Sequence, residues 1–288
     1  MGETVPHYKA GPEHSANAPR QFLNSRPNSR CSIVYGQGHD ESPFYRATDN
    51  EGNRRHHTHR PDPLPSMNPE RFSKLTSALR RRQPDLTVLM EQVHKSHNLS
   101  AILRNCDAVG VLEAHAVPPP EGLDIHGHTS AGTSKWVKVV RHATTRDAVA
   151  TLKGRGFRVL AAHAGPDATD FRAVDYTRPT AIMMGAELLG LSEEGLALAD
   201  EQVVIPMVGM AHSFNVSVAT AILLFEAFRQ RQAAGMYDAS RLDPPEFERI
   251  LFEWAYPRVA RHYRERGTPY PPLSPDGRFE HAGPGRDP

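Results

Sequence analysis

Asn98, Arg104, Glu187, Ser213 and Asn215 bring two amides, a guanidinium, a carboxylate and a hydroxyl to places where a strand pattern gives way to a helix pattern. Singly, each has a plain structural reading: Asn98 and Asn215 suit helix N-caps, Glu187 a solvated loop and Arg104 a helix surface. Jointly they stand where open α/β sheets bind ligands, beyond the carboxyl ends of the strands. The densest of these junctions is Ile205–Ala219, read IPMVGMAHSFNVSVA. A strand end, Gly209 and a polar Ser213–Phe214–Asn215 turn hand backbone to a ligand before an apolar helix reaching Arg231.

Several chemistries lose support at once. No G-x-G-x-x-G follows a strand, since Gly36–Gln37–Gly38 lies in a polar extension, and there is no P-loop. A serine hydrolase would need a G-x-S-x-G elbow, which is missing. His163 and Asp167 offer an acid–base pair, but a lone histidine on a strand is more often structural. The His56–His57–Thr58–His59 cluster has no second ligand group at structural-zinc spacing, so no metal is expected.

Composition sets wider bounds. The 288 residues are 39% hydrophobic and 23% charged, ordinary for a globular chain, with a net charge of +1. Any nucleic-acid-binding surface must therefore be local. Only Cys31 and Cys106 are present, which supports no disulfide framework and fits a reducing compartment. The N-terminus lacks an apolar signal region, and no run approaches the roughly 18 apolar residues of a membrane span. A cytoplasmic protein with no membrane partner is expected.

The elements that must position the five residues follow from pattern. Residues 1–66 are rich in proline, asparagine, histidine and arginine and too poor in apolar side chains to offset ordering entropy, so a disordered extension is expected, with Met67 a second candidate start. Asn68–Pro69–Glu70 opens a helix with a Phe72, Leu75, Leu79 stripe and an otherwise basic surface. Strands are expected at 86–90, 113–117, 136–140, 157–163, 180–184 and 202–205. Helices are expected from the opening His94–Asn98 stretch through Val109 with Gly110 as the stop, over 146–153, from Ser192, and into Arg231. This alternation predicts an α/β domain with a mostly parallel sheet and helices on both faces. Two more helices follow near 245–254 and 257–266, the second carrying Arg258, Arg261, Arg264 and Arg266, before a polar tail.

Three segments, in order, carry a family resemblance: Asn98-Leu-Ser-Ala-Ile-Leu-Arg104 with Gly110; Gly185-Ala-Glu187-Leu-Leu-Gly190-Leu-Ser192-Glu-Glu; and Ile205-Pro-Met207 through Ser213-Phe-Asn215-Val-Ser-Val-Ala219. From Met67 to about Phe279 the chain closely resembles the SPOUT-class, trefoil-knotted RNA 2′-O-ribose methyltransferases, and within them the tRNA guanosine-18 branch. The resemblance implies a homodimer, a deep C-terminal knot and S-adenosylmethionine held bent by the knot loops. A donor without a pyrophosphate needs no glycine-rich phosphate cradle.

What the resemblance implies is specific by residue. Arg104 is the central catalytic residue, supported by Asn98, Glu187, Ser213 and Asn215. Ala162, Gly185, Ile205, Met207 and Phe214 hold the methyl donor. Arg71, Lys74, Arg82, His97, Arg229 and Arg231 contact tRNA, although arginines at a helix end also favour the helix dipole without any RNA. The implied organisation is an extension (1–66), a basic N-terminal helix (67–84), the knotted domain (85–235), a helical RNA-binding extension (236–268) and a polar tail (269–288). Phe214 replaces a common leucine and Ala162 a common threonine, both beside the donor. An rRNA 2′-O-methyltransferase of the same class and a non-catalytic RNA-binding protein on the same fold are the alternatives.

Overall fold

The computed structural model describes residues 67–119, 135–187 and 189–279. The expected extension, the 56–59 histidine cluster and the end of the tail lie outside these residues. The first helix, α1 (Pro69–Arg80), starts as its sequence dictates: the Asn68 side chain accepts a hydrogen bond from Glu70 N–H at 2.9 Å, and proline occupies the first turn.

The central domain runs β1 (Leu86–Glu91), α2 (Ser96–Ala108), β2 (Glu113–Val117), β3 (Lys138–Arg141), α3 (Thr145–Gly154), β4 (Arg158–Ala162), β5 (Thr169–Asp170), β6 (Thr180–Met184), α4 (Glu193–Leu198), β7 (Glu201–Val204) and α5 (Val216–Ala233). Among the described residues these strands form one seven-stranded sheet, ordered β3-β2-β1-β6-β4-β7-β5, with every pairing parallel. Pleat alternation sends Val88, Met90, Leu160, Ile182 and Met184 to one face, where they pack against Ile102 and Leu103 of α2 and Leu223 and Leu224 of α5. Leu89, Val159, Ala161, Ala181 and Met183 face the other way, onto Val149 and Leu152 of α3 and Leu196 of α4. Both faces are covered, which is why the strands read as continuous apolar runs.

A separate apolar cluster joins the two ends of the described chain. α6 (Pro244–Ala255) and α7 (Pro257–Glu265) pack with α1 through Phe72, Leu75, Leu79, Ile250, Phe252 and Tyr256. Tyr270 stacks on Phe252 at 4.7 Å between ring centres, and Phe279 meets Tyr256 edge-on at the same separation.

Four details differ from expectation. Trp136 does not open β3; it packs edge-on against Trp254 of α6, and the strand starts at Lys138. β5, two residues long, pairs with β7 although nothing apolar announces it. α2 starts at Ser96, capped by the Lys95 backbone, so Asn98 is inside the helix and its side chain is released from capping. Arg82 and Arg231 are not surface cations. Arg82 is 3% exposed, with Asp107 at 2.5 Å, the Val111 carbonyl at 2.8 Å and the Trp254 ring under its guanidinium. Arg231 is fully buried against Asp85 at 2.6 Å.

Candidate functional site

Beyond the carboxyl ends of the neighbouring strands β6, β4 and β7 lies a cavity of about 590 Å³. Its floor is apolar, built by Met184, Val203, Val216 and Leu223, all part of the sheet–α5 core. Ala162 ends β4 at one wall, and Ile205 and Met207 leave β7 at another. All five residues assigned to the methyl donor from the sequence, Ala162, Gly185, Ile205, Met207 and Phe214, line this one space, together with Glu187 and Ser213.

Gly185 is required by a close backbone approach. A Cβ there would lie 2.2 Å from the Gly190 carbonyl carbon, because Ala186 and Gly190 exchange two backbone hydrogen bonds of 3.0 and 2.9 Å. Gly190 closes this bridge with a φ of +69°, which a side chain would strain. The result is a tight main-chain turn in the cavity wall.

Three separate segments then meet at the rim. Asn215 caps α5, its Oδ1 accepting from Ser217 N–H at 2.9 Å, and its Nδ2 donates to Asn98 Oδ1 at 3.2 Å. Asn98 Nδ2 in turn donates a short hydrogen bond to Glu187 Oε1. Glu187 Oε2 accepts no hydrogen bond, and His94 Nδ1 stands 3.5 Å from it. Burial alone would raise the Glu187 carboxyl, but the Asn98 amide, its own backbone N–H and the nearby His94 and Lys95 outweigh burial and hold it below the usual range. Its bonded carboxylate contributes stability at and above about pH 4–5 and loses it only as pH falls through the lowered value.

The remaining assigned residues are dispersed. Arg104 lies on the exposed face of α2, about 9 Å along the helix from Asn98, and is not part of the cavity wall. His97 is exposed at the start of the same helix, and Arg71 and Lys74 are exposed on α1. Arg229 is exposed but carries a two-point ion pair with Glu226 at 2.7 and 2.9 Å. Among the other lining residues, the sequence reading set His163 aside as structural and held Gly190 only as part of the second family segment, while His212 had no signal beyond adjacency to Ser213.

The chain matches the model of the SpoU rRNA Methylase family over residues 85–225 and that of the C-terminal SpoU region over residues 229–282. It is 52% identical over 216 residues to the tRNA (guanosine(18)-2'-O)-methyltransferase of Escherichia coli, covering 74% of this chain and 94% of the relative. The chain belongs to the SpoU methylase family. This SpoU methylase is also 58% identical to the enzyme of the same name from Thermus thermophilus, over 64% of its own length and 95% of the relative's. The crystal structure of the Aquifex aeolicus TrmH/SpoU tRNA modifying enzyme matches it with a TM-score of 0.62 at 42% identity, covering 66% of this chain and 97% of that one.

The likeness to that solved relative spans 97% of its chain, so the parallel sheet belongs to a fold the two proteins share. Among the described residues no group of three or more His, Cys, Asp or Glu is arranged to hold a metal ion, and no helix is long and apolar enough to cross a membrane.

Proposed function

We propose that this SpoU methylase transfers a methyl group from S-adenosylmethionine to the ribose 2′-hydroxyl of guanosine 18 in the tRNA D-loop, acting in the cytoplasm as a homodimer. The observation that carries this reading is the Asn215–Asn98–Glu187 network at the rim of the cavity, in a chain that spans 94% of a relative named for that reaction. In this reading residues 85–235 close the deep trefoil knot, the loops at 185–192 and 205–215 being its cavity-facing part.

The cavity fits such a donor. Its volume lies within the roughly 300–1,000 Å³ of small-molecule sites. The apolar floor suits an adenine, and the main chain at Gly185 and Ile205 suits the polar edges of a nucleoside. When bound, the donor supplies a methyl group already activated on a sulfonium, so the protein's task is positioning and proton removal. Asn98 and Asn215 hold Glu187 in one orientation along the wall. Ser213 lines the cavity two residues before the α5 cap and shapes its mouth. Arg104 places a substrate phosphate and stabilises the oxygen as negative charge develops on it.

RNA is held by the terminal helices in this reading. α7 exposes Arg258, Arg261, Arg264 and His262, and Arg71 of α1 shares a shallow cavity of about 370 Å³ with Arg258. With Lys74, His97 and Arg229 these cations provide the phosphate contacts. Arg82 and Arg231 are excluded from that set by their burial. Leu189, Val208, Met210, Phe214, Val218 and Phe225 expose large apolar side chains on the cavity rim and along α5, the surface a second copy covers.

Mapping ribose methylation in total RNA from a deletion strain tests the substrate. Loss confined to the D-loop guanosine of tRNA supports the reading, whereas loss in rRNA transfers it to the alternative substrate. Phe214 provides a second test, because its ring is 41% exposed at the cavity edge. Phe214→Ala is expected to weaken binding of S-adenosylhomocysteine about tenfold, from lost apolar contact, with an unchanged unfolding midpoint. Calorimetric titration that finds equal affinity removes Phe214 from the donor site.

A further inference from the structure

Glu91 closes β1 at 1% exposure, and nothing in the site so far gives it a task. Its Oε1 accepts hydrogen bonds from Thr145 Oγ1 at 2.6 Å and Ser192 Oγ at 2.7 Å, and its Oε2 accepts from Ser192 N–H at 2.8 Å. Among the described residues no cation pairs with it. The surroundings are tight: a Cβ on Gly195 would lie 3.0 Å from both carboxylate oxygens. Immediately after it, Gln92 takes a φ of 53° and donates its N–H to the Val117 carbonyl at 2.9 Å. That abrupt turn starts the loop leading to His94 and on to Asn98. Ser192, at the other side of the carboxylate, ends the loop that carries Gly185, Glu187 and Gly190. The segment ending at Ser192 is thus tied at its buried base to the end of β1 by Glu91, and through Glu187 to the first turn of α2 by the Asn98 hydrogen bond.

We infer that Glu91 is a positioning residue for the cavity: its carboxylate sets the spacing between the 92–95 turn that leads into α2 and the loop that ends at Ser192, and so holds Glu187 and the main chain of Gly185 and Gly190 in binding register. This rests on the methyl-donor reading of the cavity. Glutamine at position 91 keeps the volume but replaces charge-assisted bonds by neutral ones, and the Thr145 and Ser192 hydroxyls must turn to accept from its N–H₂, which weakens the clamp. Ser192→Ala removes the hydroxyl bond on the loop side together with the α4 cap, in which Ser192 Oγ accepts from Gly195 N–H at 2.9 Å, and Thr145→Val removes the one bond on the α3 side, which does not touch the cavity wall.

Calorimetric titration of the full chain with S-adenosylhomocysteine, beside thermal unfolding without ligand, tests the assignment. Glu91→Gln and Ser192→Ala are expected to raise the Kd by about tenfold or more, while Thr145→Val lowers the unfolding midpoint and leaves the Kd near wild type. In steady-state assays the first two should raise KM for the methyl donor and leave kcat at saturation close to wild type. Wild-type affinity in both loop-side variants overturns the inference. So does a loss of affinity shared by all three in step with their loss of stability, which would make the role one of general folding. If Glu91→Gln does not fold, Ser192→Ala against Thr145→Val decides on the same criteria. Failure of the wild-type chain to bind S-adenosylhomocysteine overturns the methyl-donor reading, and the inference with it.

Discussion

Arg104→Ala is expected to lower kcat/KM for tRNA methylation by about 10²–10³-fold while leaving the unfolding midpoint and the Kd for S-adenosylhomocysteine unchanged. The dissociation of the three readouts follows from where the side chain is. Arg104 is exposed, off the Leu99–Ile102–Leu103–Cys106 stripe that packs α2, so the fold does not need it. It is outside the cavity wall, so donor binding does not need it either. What remains is an interaction made with the substrate as charge develops. Arg104→Lys keeps the charge and loses the planar fork, and should recover only part of the rate. Activity of the alanine variant equal to wild type would sink the catalytic assignment.

The second large effect is on stability. Arg231→Ala is expected to cost about 3–5 kcal/mol in urea unfolding, because it strands a buried polar cluster. The guanidinium donates to Asp85 Oδ1 at 2.6 Å, to Gln83 Oε1 at 3.1 Å and to the carbonyls of Tyr176, Asp85 and Arg178 at 2.9, 3.1 and 3.1 Å. It ties the end of α5 to the entry of β1 and to the turn before β6. Arg241 holds the second Asp85 oxygen at 2.7 Å, so the variant also leaves that pair lopsided. An RNA contact would behave oppositely, with weaker tRNA binding at unchanged stability; that outcome would refute the structural role.

The contrast between these two arginines shows what was legible. Arg104 was readable because it falls one position past Leu103 in a helical pattern, and periodicity reports which face is wet. Arg82 and Arg231 were not, because their acidic partners stand 25 and 146 residues away in the sequence, and only the fold brings Asp107 and Asp85 to them. The cavity wall was legible through glycines and strand ends, since Gly185, Ile205 and Met207 each follow an apolar run directly. Glu91 was invisible for the opposite reason, as one carboxylate at the end of an apolar strand looks like a strand entering solvent. β5 had no apolar run to mark it, and Trp136 looked like a strand residue until Trp254 supplied a different neighbour.

The strand order also imposes a timetable on the ribosome's product. β1, β2 and β3 are consecutive in the sheet, with β2 in the middle, and can pair once Arg141 has emerged. β4 cannot join them: its partners are β6 and β7, both encoded later. At about 5–20 residues per second, β4 waits roughly one to four seconds for Thr180–Met184 to arrive and bridge it to β1. During that interval the apolar Val159–Leu160–Ala161 stretch is an unpaired strand, open to pairing with the wrong partner.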